Sequence, residues 1–226
     1  MRAMILAAGR GERMRPLTDT SPKPLLPAGG KPLIQYHIEA LRAAGVRDIV
    51  INLAWQGAML RAALRDGSRF DVQLHYTDEG SEALETGGGI FNALHLLGEE
   101  PFIVVSGDIW TDFPMQTLRA RLTNQDVAHF VMAPNPDFHP RGDFVLTDGR
   151  VREGEGQRYT YANIAVLTRE FFADCQPGKF PLVPVMRRWI REDRVSGELY
   201  EGEWRNVGTP AQLNELNEYL ARRSVR

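Results

Sequence analysis

Short apolar runs alternate with amphipathic stretches through the first half of the chain. Runs of four to six apolar residues predict buried strands, and apolar residues at helical spacing predict helices between them. The predicted strands are Ala3–Ala8, Asp48–Leu53, Val72–Tyr76 and Phe102–Ser106, and the predicted helices are Leu33–Ala44, Gln56–Arg65 and Gly88–Leu97. This alternation is typical of βαβ units, so we expect a mostly parallel sheet in this half.

The second half of the chain has a different pattern. Strands are predicted at Val127–Ala133, Phe144–Leu146 and Tyr159–Leu167, with turn residues such as Asp148-Gly149 between them, and a last helix at Pro210–Arg222. Together the two halves predict an α/β protein with a mixed, mostly parallel sheet and a small strand-rich lobe. No repeat, low-complexity tract or linker divides the chain, so we expect residues 1–226 to form one domain.

Composition narrows the classes of partner. With 226 residues and 43% hydrophobic content, the chain can bury a sizeable core. A formal charge of −2 gives no general attraction to nucleic acid or to acidic membranes, so neither is expected as a partner. The single cysteine, Cys175, excludes an internal disulfide. No apolar run approaches the roughly 20 residues that span a bilayer, and no signal peptide precedes the first strand, so we expect a soluble cytoplasmic protein. We expect a monomer, although the sequence does not determine the oligomeric state.

A run of glycines and cations directly follows the first predicted strand. Gly9 and Gly11 allow backbone N–H groups to approach anionic oxygens, because glycine adopts conformations that other residues avoid. Arg13, Arg15 and Lys23 add positive charge, the arginines as forked donors and the lysine as a point charge. This order predicts a site for a phosphate chain, although two glycines after a strand also form ordinary turns. The run lacks the Gly-Lys-Ser/Thr of a P-loop and the third glycine of a dinucleotide fingerprint.

The chain resembles the sugar-1-phosphate nucleotidyltransferases at residues 6–18 and 22–24. Their signature is Leu-Ala-Ala-Gly-x-Gly-Thr-Arg-Leu/Met-x-Pro-Leu-Thr followed by Pro-Lys-Pro, and one position departs from it, because Glu12 stands where threonine is usual. Gly-Glu-Arg-Met-Arg-Pro is typical of the short bacterial N-acetylmuramate α-1-phosphate uridylyltransferases, so the closer resemblance is to that branch. The resemblance covers nearly the whole chain. It implies a Rossmann-like three-layer fold whose strand-rich lobe binds the sugar.

The resemblance also implies a Mg²⁺ site held by Asp108 and Asn206. Asp108 follows a predicted strand in the run Ser106-Gly107-Asp108, where ligands of open α/β sheets bind and where the family places a metal-binding aspartate. Asn206, in Trp204–Gly208, takes the place of the family's second aspartate. An amide oxygen can bind Mg²⁺ but brings no charge, so this departure predicts weaker metal binding and puts full activity in question. Gly-Asp after a strand is also an ordinary turn.

The remaining expected contacts come from the same resemblance. The loop Leu84–Ile90, with three glycines, is expected to contact the base and the sugar, the alternative being a flexible loop beside a helix. Sugar contacts are expected from Glu85, Asp143 and Asn163. For Asn52, a core or capping role is an equal alternative to nucleotide contact. The expected nucleotide-binding residues are Ala8, Gly9, Gly11, Glu12, Arg13, Lys23, Asn52, Thr86, Gly87, Gly88 and Ser106.

The implied reaction is nucleotidyl transfer from UTP to a sugar 1-phosphate, with Arg13 and Lys23 as catalytic residues. Arg13 would hold the β- and γ-phosphates, with Arg15 assisting, and Lys23 would bridge the α-phosphate and the attacking phosphate. The expected products are UDP-N-acetylmuramate and pyrophosphate, in peptidoglycan recycling. Two alternatives stay open: a mannose-1-phosphate guanylyltransferase or other hexose-1-phosphate nucleotidyltransferase, and a non-enzymatic nucleotide-binding regulatory module weakened by Asn206.

Overall fold

The protein is built around one mixed sheet. The structure is a computed structural model and describes residues 1–80, 82–123 and 125–224, the side chain of residue 224 excepted. In chain order its strands are β1 (Ala3–Leu6), β2 (Pro27–Ala28), β3 (Lys31–Pro32), β4 (Asp48–Leu53), β5 (Gln73–Asp78), β6 (Phe102–Ser106), β7 (Ile109–Thr111), β8 (Ala128–Ala133), β9 (Phe144–Thr147), β10 (Arg150–Arg152), β11 (Arg158–Leu167), β12 (Val195–Leu199) and β13 (Trp204–Asn206).

Helices cover both faces of this sheet. They are α1 (Leu17–Thr20), α2 (Leu33–Ala43), α3 (Gly57–Leu64), α4 (Glu85–Leu97), α5 (Val183–Arg191) and α6 (Pro210–Ser224). Across the described ranges, no helix has the length and apolar character needed to cross a membrane.

The main sheet has the strand order β5-β4-β1-β6-β11-β8-β12-β10-β9. The four strands β5, β4, β1 and β6 are parallel, as the βαβ pattern predicts. Beyond β6, the pairs formed by the described residues are antiparallel except for the parallel pair of β8 and β12. The sheet is therefore mixed, as predicted, with a larger antiparallel share than predicted, because β9 and β10 form a hairpin and β11 runs antiparallel to β6, β8 and β9. The strand-rich lobe continues the same sheet through β9 and β10.

The three layers are visible in which residues pack together. In β1, Ala3 and Ile5 pack with the apolar faces of α2 and α3 on one side of the sheet. Met4 points to the opposite side and packs with α4 and α5. Because neighbouring side chains of a strand face opposite ways, β1 is buried on both faces, which explains its uninterrupted apolar run.

Most predicted elements of the first half are confirmed, with shifted ends. The strand predicted at Ala3–Ala8 ends at Leu6, and the next residues already belong to the cleft described below. The helix predicted from Gly88 begins at Glu85, so the three glycines lie inside its first turns rather than in a loop. The sequence analysis identified neither α5 nor β12.

Candidate active site

A cleft of about 970 Å³, counting space open to solvent, lies at the carboxyl ends of β1, β4, β5 and β6. We call it the first cleft. Parallel strands end at the same edge of a sheet, so residues far apart in sequence meet here. The described residues that line it are Leu6, Ala7, Ala8, Gly9, Gly11, Glu12, Arg13, Lys23, Pro24, Asn52, Glu79, Ala83, Glu85, Thr86, Ser106, Gly107, Asp108 and Gly208.

The loop after β1 is shaped by its two glycines. Gly11 has a φ of 69°, a left-handed conformation that favours glycine, and its carbonyl oxygen accepts the Thr18 hydroxyl at 2.8 Å. A Cβ on Gly11 would lie 3.0 Å from Thr18 Cγ2, so the turn has no room for a side chain. A Cβ on Gly9 would meet nothing within 4 Å, so that backbone faces open space. The loop thus presents bare backbone to the cleft, as a phosphate site requires.

The three arginines of this loop have different surroundings. The Arg10 guanidinium lies 3.6 Å from the Trp55 ring centroid and donates to the Thr18 carbonyl at 3.0 Å. Arg15 Nε pairs with Asp19 Oδ1 at 2.8 Å, and Arg15 is not among the residues that line the first cleft. Arg13 lines the cleft. Arg13 is therefore available to a ligand in the cleft, whereas Arg15 has a partner outside it.

Lys23 and Asp108 form an ion pair at the base of the cleft. Lys23 Nζ lies 3.0 Å from Asp108 Oδ2, and Lys23 is only 8% exposed. Gly107 N donates to the Leu6 carbonyl at 2.9 Å, and a Cβ on Gly107 would lie 2.8 Å from that oxygen. Gly107 therefore lets the end of β6 lie directly against the end of β1, which places Asp108 beside the glycine loop.

Asn206 is brought next to Asp108 by a short ribbon. Strands β7 and β13 pair antiparallel with Asn206 opposite Ile109, and Val207 N donates to the Asp108 carbonyl at 2.8 Å. A Cβ on the adjacent Gly208 would lie 3.1 Å from Asn206 Nδ2 and 3.3 Å from Arg13 Nη2. The Trp204–Gly208 segment thus lies next to Asp108 and to Arg13 of the glycine loop.

The Asn52 side chain is committed to other protein groups. Its Oδ1 accepts the Ala7 N–H at 2.7 Å, and its Nδ2 donates to Glu79 Oε1 at 2.6 Å. Glu79 Oε2 in turn accepts the Leu84 N–H at 2.7 Å. Asn52 is 3% exposed. These bonds tie together the ends of β1, β4 and β5 and the start of α4, so Asn52 and Glu79 shape the cleft wall.

The glycines of α4 pack against the protein and not into the first cleft. A Cβ on Gly87 would lie 2.5 Å from the Phe180 ring, and one on Gly88 would lie 2.2 Å from the Gly178 carbonyl oxygen. Gly88 N donates to the Phe180 carbonyl at 3.0 Å. Gly87 and Gly88 therefore do not line the first cleft, because the segment 178–180 covers them, and their contact with the nucleotide stays a prediction. Thr86 and Glu85, at the start of α4, do line the cleft.

A second cleft, of about 800 Å³ with its open space, lies beside Asn206. It contains Asp143 and Asn163, the residues expected to bind sugar. Asn163 has a φ of 58° and lies in a bulge of β11 between Tyr161 and Ala165, where the pairing with β8 changes register. Bulges of this kind redirect a side chain near active sites.

Both oxygens of Asp143 already have protein partners. Oδ1 lies 3.0 Å from His139 Nε2, and Oδ2 accepts the Tyr161 N–H at 2.8 Å. Asp143 therefore orients His139 and holds the start of the bulge in β11.

Comparison with known proteins agrees with this geometry. A family model described as nucleotidyl transferase matches residues 2–141. The chain belongs to the nucleotidyl transferase family. It is similar to the N-acetylmuramate alpha-1-phosphate uridylyltransferase of Neisseria meningitidis serogroup B, with 46% identity over 95% of this chain and 96% of that one. The protein of the same name from Caulobacter vibrioides is 37% identical over 92% of each chain.

Solved structures show the same fold. A Bacillus anthracis protein assigned as a glucose-1-phosphate thymidylyltransferase, solved in complex with a sucrose, superposes with a TM-score of 0.86. The alignment covers 97% of this chain and 95% of that chain at 20% identity, so it supports the fold alone.

Most of the residues predicted for this nucleotidyl transferase line one of the two clefts, whereas Gly87 and Gly88 line neither. Glu85, expected near the sugar, lies in the first cleft, whereas Asp143, Asn163 and Asn206 lie in the second. The sequence analysis missed Glu79, although its place just after β5 could have revealed it. The predicted members of the first cleft are Ala8, Gly9, Gly11, Glu12, Arg13, Lys23, Asn52, Thr86, Ser106 and Asp108.

Proposed function

We propose that the protein transfers a uridylyl group from UTP to N-acetylmuramate α-1-phosphate. An oxygen of the sugar phosphate attacks the α-phosphorus of UTP, the bond between that phosphorus and the bridging oxygen breaks, and pyrophosphate leaves with the electron pair. The products are UDP-N-acetylmuramate and pyrophosphate. The two relatives at 46% and 37% identity bear the name of this activity.

One observation carries the assignment of the reacting groups. The Lys23–Asp108 ion pair, 3.0 Å long, lies in the first cleft, and Asn206 of the second cleft is on the strand paired beside it. A nucleotide in the first cleft and a sugar phosphate in the second would meet at this point. Transfer of this kind needs positioning and neutralisation of charge more than covalent help from the protein.

We assign the positive charges to successive stages of the transfer. Lys23 would counter the repulsion between the α-phosphate and the incoming phosphate, because a cation near both lowers the cost of bringing two anions together. Arg13 would hold the β- and γ-phosphates and stabilise the departing pyrophosphate. A phosphate monoester is already ionised near neutral pH, so no general base is needed.

The residues where the two clefts meet fit a Mg²⁺ ion that is bound mainly by the phosphates of the substrate. Asp108 offers a carboxylate and Asn206 an amide oxygen, and the described ranges contain no cluster of three or more His, Cys, Asp or Glu side chains suited to a metal. Mg²⁺ is commonly held by one or two protein oxygens, with phosphate and water supplying the rest. When bound, it would neutralise charge on the α-phosphate.

The proposal extends to the protein as a whole. We infer one nucleotidyltransferase domain over residues 1–226, acting as a monomer in the cytoplasm, where UTP is available, and returning cell-wall sugars to peptidoglycan synthesis. A single sheet, with packed apolar layers on both faces, supports the single domain.

A substrate panel tests the proposal. UTP, GTP and dTTP are each combined with the 1-phosphates of N-acetylmuramate, N-acetylglucosamine and mannose in the presence of Mg²⁺, and pyrophosphate release is followed. We expect UTP with N-acetylmuramate 1-phosphate to give the highest kcat/KM. Release only with GTP and mannose 1-phosphate would instead make the protein a guanylyltransferase. Calorimetric UTP binding without release from any pair would identify a regulatory module.

A further inference from the structure

The second cleft contains a cation that the proposed transfer does not use. Arg187 of α5 lines this cleft, on the helix face that also carries Val183 and Met186. Its Nε lies 3.3 Å from Glu153 Oε1, and its side chain is 52% exposed. Arg191, one turn further along α5, pairs with the other oxygen of Glu153 at 3.5 Å and does not line the cleft.

This arrangement leaves positive charge facing the second cleft. Glu153 is shared between two guanidinium groups, so the three side chains together carry a net charge of +1. Asp143 is the only acidic side chain in the described lining, and each of its oxygens already has a protein partner. Arg187 is therefore the group there best placed to bind an anion, and its planar fork suits a carboxylate.

A hydroxyl group in the same lining has no protein partner within the described residues. Tyr161 is half-buried and lines the second cleft, and its backbone N–H donates to Asp143. Burial raises the pKa of Tyr161, so its hydroxyl stays protonated and able to donate. Because no described protein group accepts from this hydroxyl, it is available to donate to a ligand oxygen in the cleft.

We propose that Arg187 selects a sugar that carries a carboxylate. N-acetylmuramate differs from N-acetylglucosamine by a lactyl ether that ends in a carboxylate, so the choice between the two sugars rests on one anionic substituent. Arg187 would bind that carboxylate, and the Tyr161 hydroxyl would donate to a sugar oxygen. The exposed apolar side chains Phe138 and Val183, 57% and 47% accessible, flank the same cleft and suit the lactyl and acetyl methyl groups. This inference rests on the proposed function and names the residue behind its sugar preference.

The test compares Arg187→Gln with Arg191→Gln. Each variant removes one ion pair between an arginine of α5 and Glu153, but only Arg187→Gln changes the lining of the second cleft. The kcat/KM is measured for N-acetylmuramate 1-phosphate and for N-acetylglucosamine 1-phosphate with saturating UTP. We expect Arg187→Gln to lower the first value by about 10- to 100-fold, mainly through KM, because a charge-assisted bond is lost. The second value should stay within about twofold, and Arg191→Gln should keep the wild-type preference.

The outcomes separate this inference from the function on which it rests. Three results would overturn the role of Arg187 while leaving uridylyl transfer in place. Arg187→Gln could lower kcat/KM equally for both sugar phosphates, it could leave both values unchanged, or Arg191→Gln could have the same effect as Arg187→Gln. A wild-type protein that releases no pyrophosphate from UTP and N-acetylmuramate 1-phosphate would overturn both. Thermal unfolding is measured for both variants, and equal midpoints show that a fall in kcat/KM comes from the changed cleft and not from a destabilised fold.

Discussion

Individual side chains of the first cleft separate into those held by the protein and those available to a substrate. Asn52 has both ends of its amide bonded, to the Ala7 N–H and to Glu79. Arg13 forms no hydrogen bond or ion pair with the described residues, yet it lines the same cleft. Satisfied groups gain little by binding a ligand, whereas a cation without a partner gains a charge-assisted bond. We therefore assign positioning to Asn52 and phosphate binding to Arg13.

Replacement of Lys23 should abolish most of the turnover. Lys23→Met keeps an unbranched side chain one atom shorter but removes the charge that would offset the two phosphates, and we expect kcat to fall by about 100- to 1,000-fold, as for loss of one electrostatic stabiliser elsewhere. Pyrophosphate release measures the effect. Lys179→Met, at an exposed lysine outside both clefts, is the matched control. A Lys23→Met protein with wild-type kcat would exclude the assigned role.

The amide of Asn206 should limit the affinity for Mg²⁺. Asn206→Asp has nearly the same shape and adds a negative charge beside Asp108, and hard cations prefer carboxylates. We expect half-maximal activity at a several-fold lower Mg²⁺ concentration than in the wild type, and at a higher concentration in Asn206→Ala. Titration of activity with Mg²⁺ provides the measurement. Identical midpoints in all three proteins would remove Asn206 from the metal site.

At the scale of elements, helix α4 shows how one sequence feature can serve a different purpose from the predicted one. Three consecutive glycines suggest an open loop that admits a flat ring. In the structure Gly87 and Gly88 allow the chain at 178–180 to lie directly on the helix, with Phe180 N donating to the Leu84 carbonyl at 3.1 Å, whereas Gly89 faces the Glu79 and Asn52 side chains. Gly87 and Gly88 thus permit close contact with another segment of the chain, which local sequence cannot distinguish from close contact with a ligand.

A methyl group at Gly88 should destabilise the fold. Its Cβ would lie 2.2 Å from the Gly178 carbonyl oxygen, so α4 and the segment 178–180 must separate. Although alanine favours a helix, we expect Gly88→Ala to lower the free energy of unfolding by about 2 kcal/mol, the usual scale of overpacking. Urea denaturation measures the change, with His95→Ala on the exposed face of α4 as the control, expected within about 0.5 kcal/mol of wild type. A Gly88→Ala protein as stable as the control would mean that the segment moves away freely.

For the whole molecule, the elements that could be predicted are those whose own local sequence determines their structure. The parallel half of the sheet was predicted because strands such as β1 and β6 are buried on both faces, so each shows an uninterrupted apolar run. Strand β12 could not be predicted, because Val-Ser-Gly-Glu-Leu becomes a strand only through its parallel pairing with β8. The glycine loop and Asp108 follow local motifs. Arg187 comes to the second cleft only through the docking of α5, and no local signal marks it.

Acid stability of the whole fold should depend on one buried histidine of α2. His37 is 2% exposed and its Nε2 lies 2.8 Å from the Ile109 carbonyl oxygen, so the neutral ring donates there. Burial lowers the pKa of His37 from 6.5 to about 4, and the bond to Ile109 and the nearby charge of Asp108 oppose this only in part. In the unfolded chain the ring takes up a proton below pH 6.5, while in the folded protein it does so only below about pH 4. The contribution of His37 to stability is therefore complete above pH 6.5, is lost as the pH decreases from 6.5 to about 4, and changes no further below that.

Comparison of the wild type with His37→Gln separates the pH-dependent stability due to His37 from that of carboxylates titrating in the same pH range. Glutamine can keep a donor near the Ile109 carbonyl but binds no proton, so its stability should decline less on acidification. Since one pKa unit corresponds to about 1.4 kcal/mol, the difference in unfolding free energy between the two proteins should change by up to about 3 kcal/mol between pH 7 and pH 4. Urea denaturation at half-unit pH steps gives both curves. Parallel curves would mean that His37 has the same pKa in the folded and unfolded states. We expect different pKa values, because the folded protein buries the ring against Ile109 of β7.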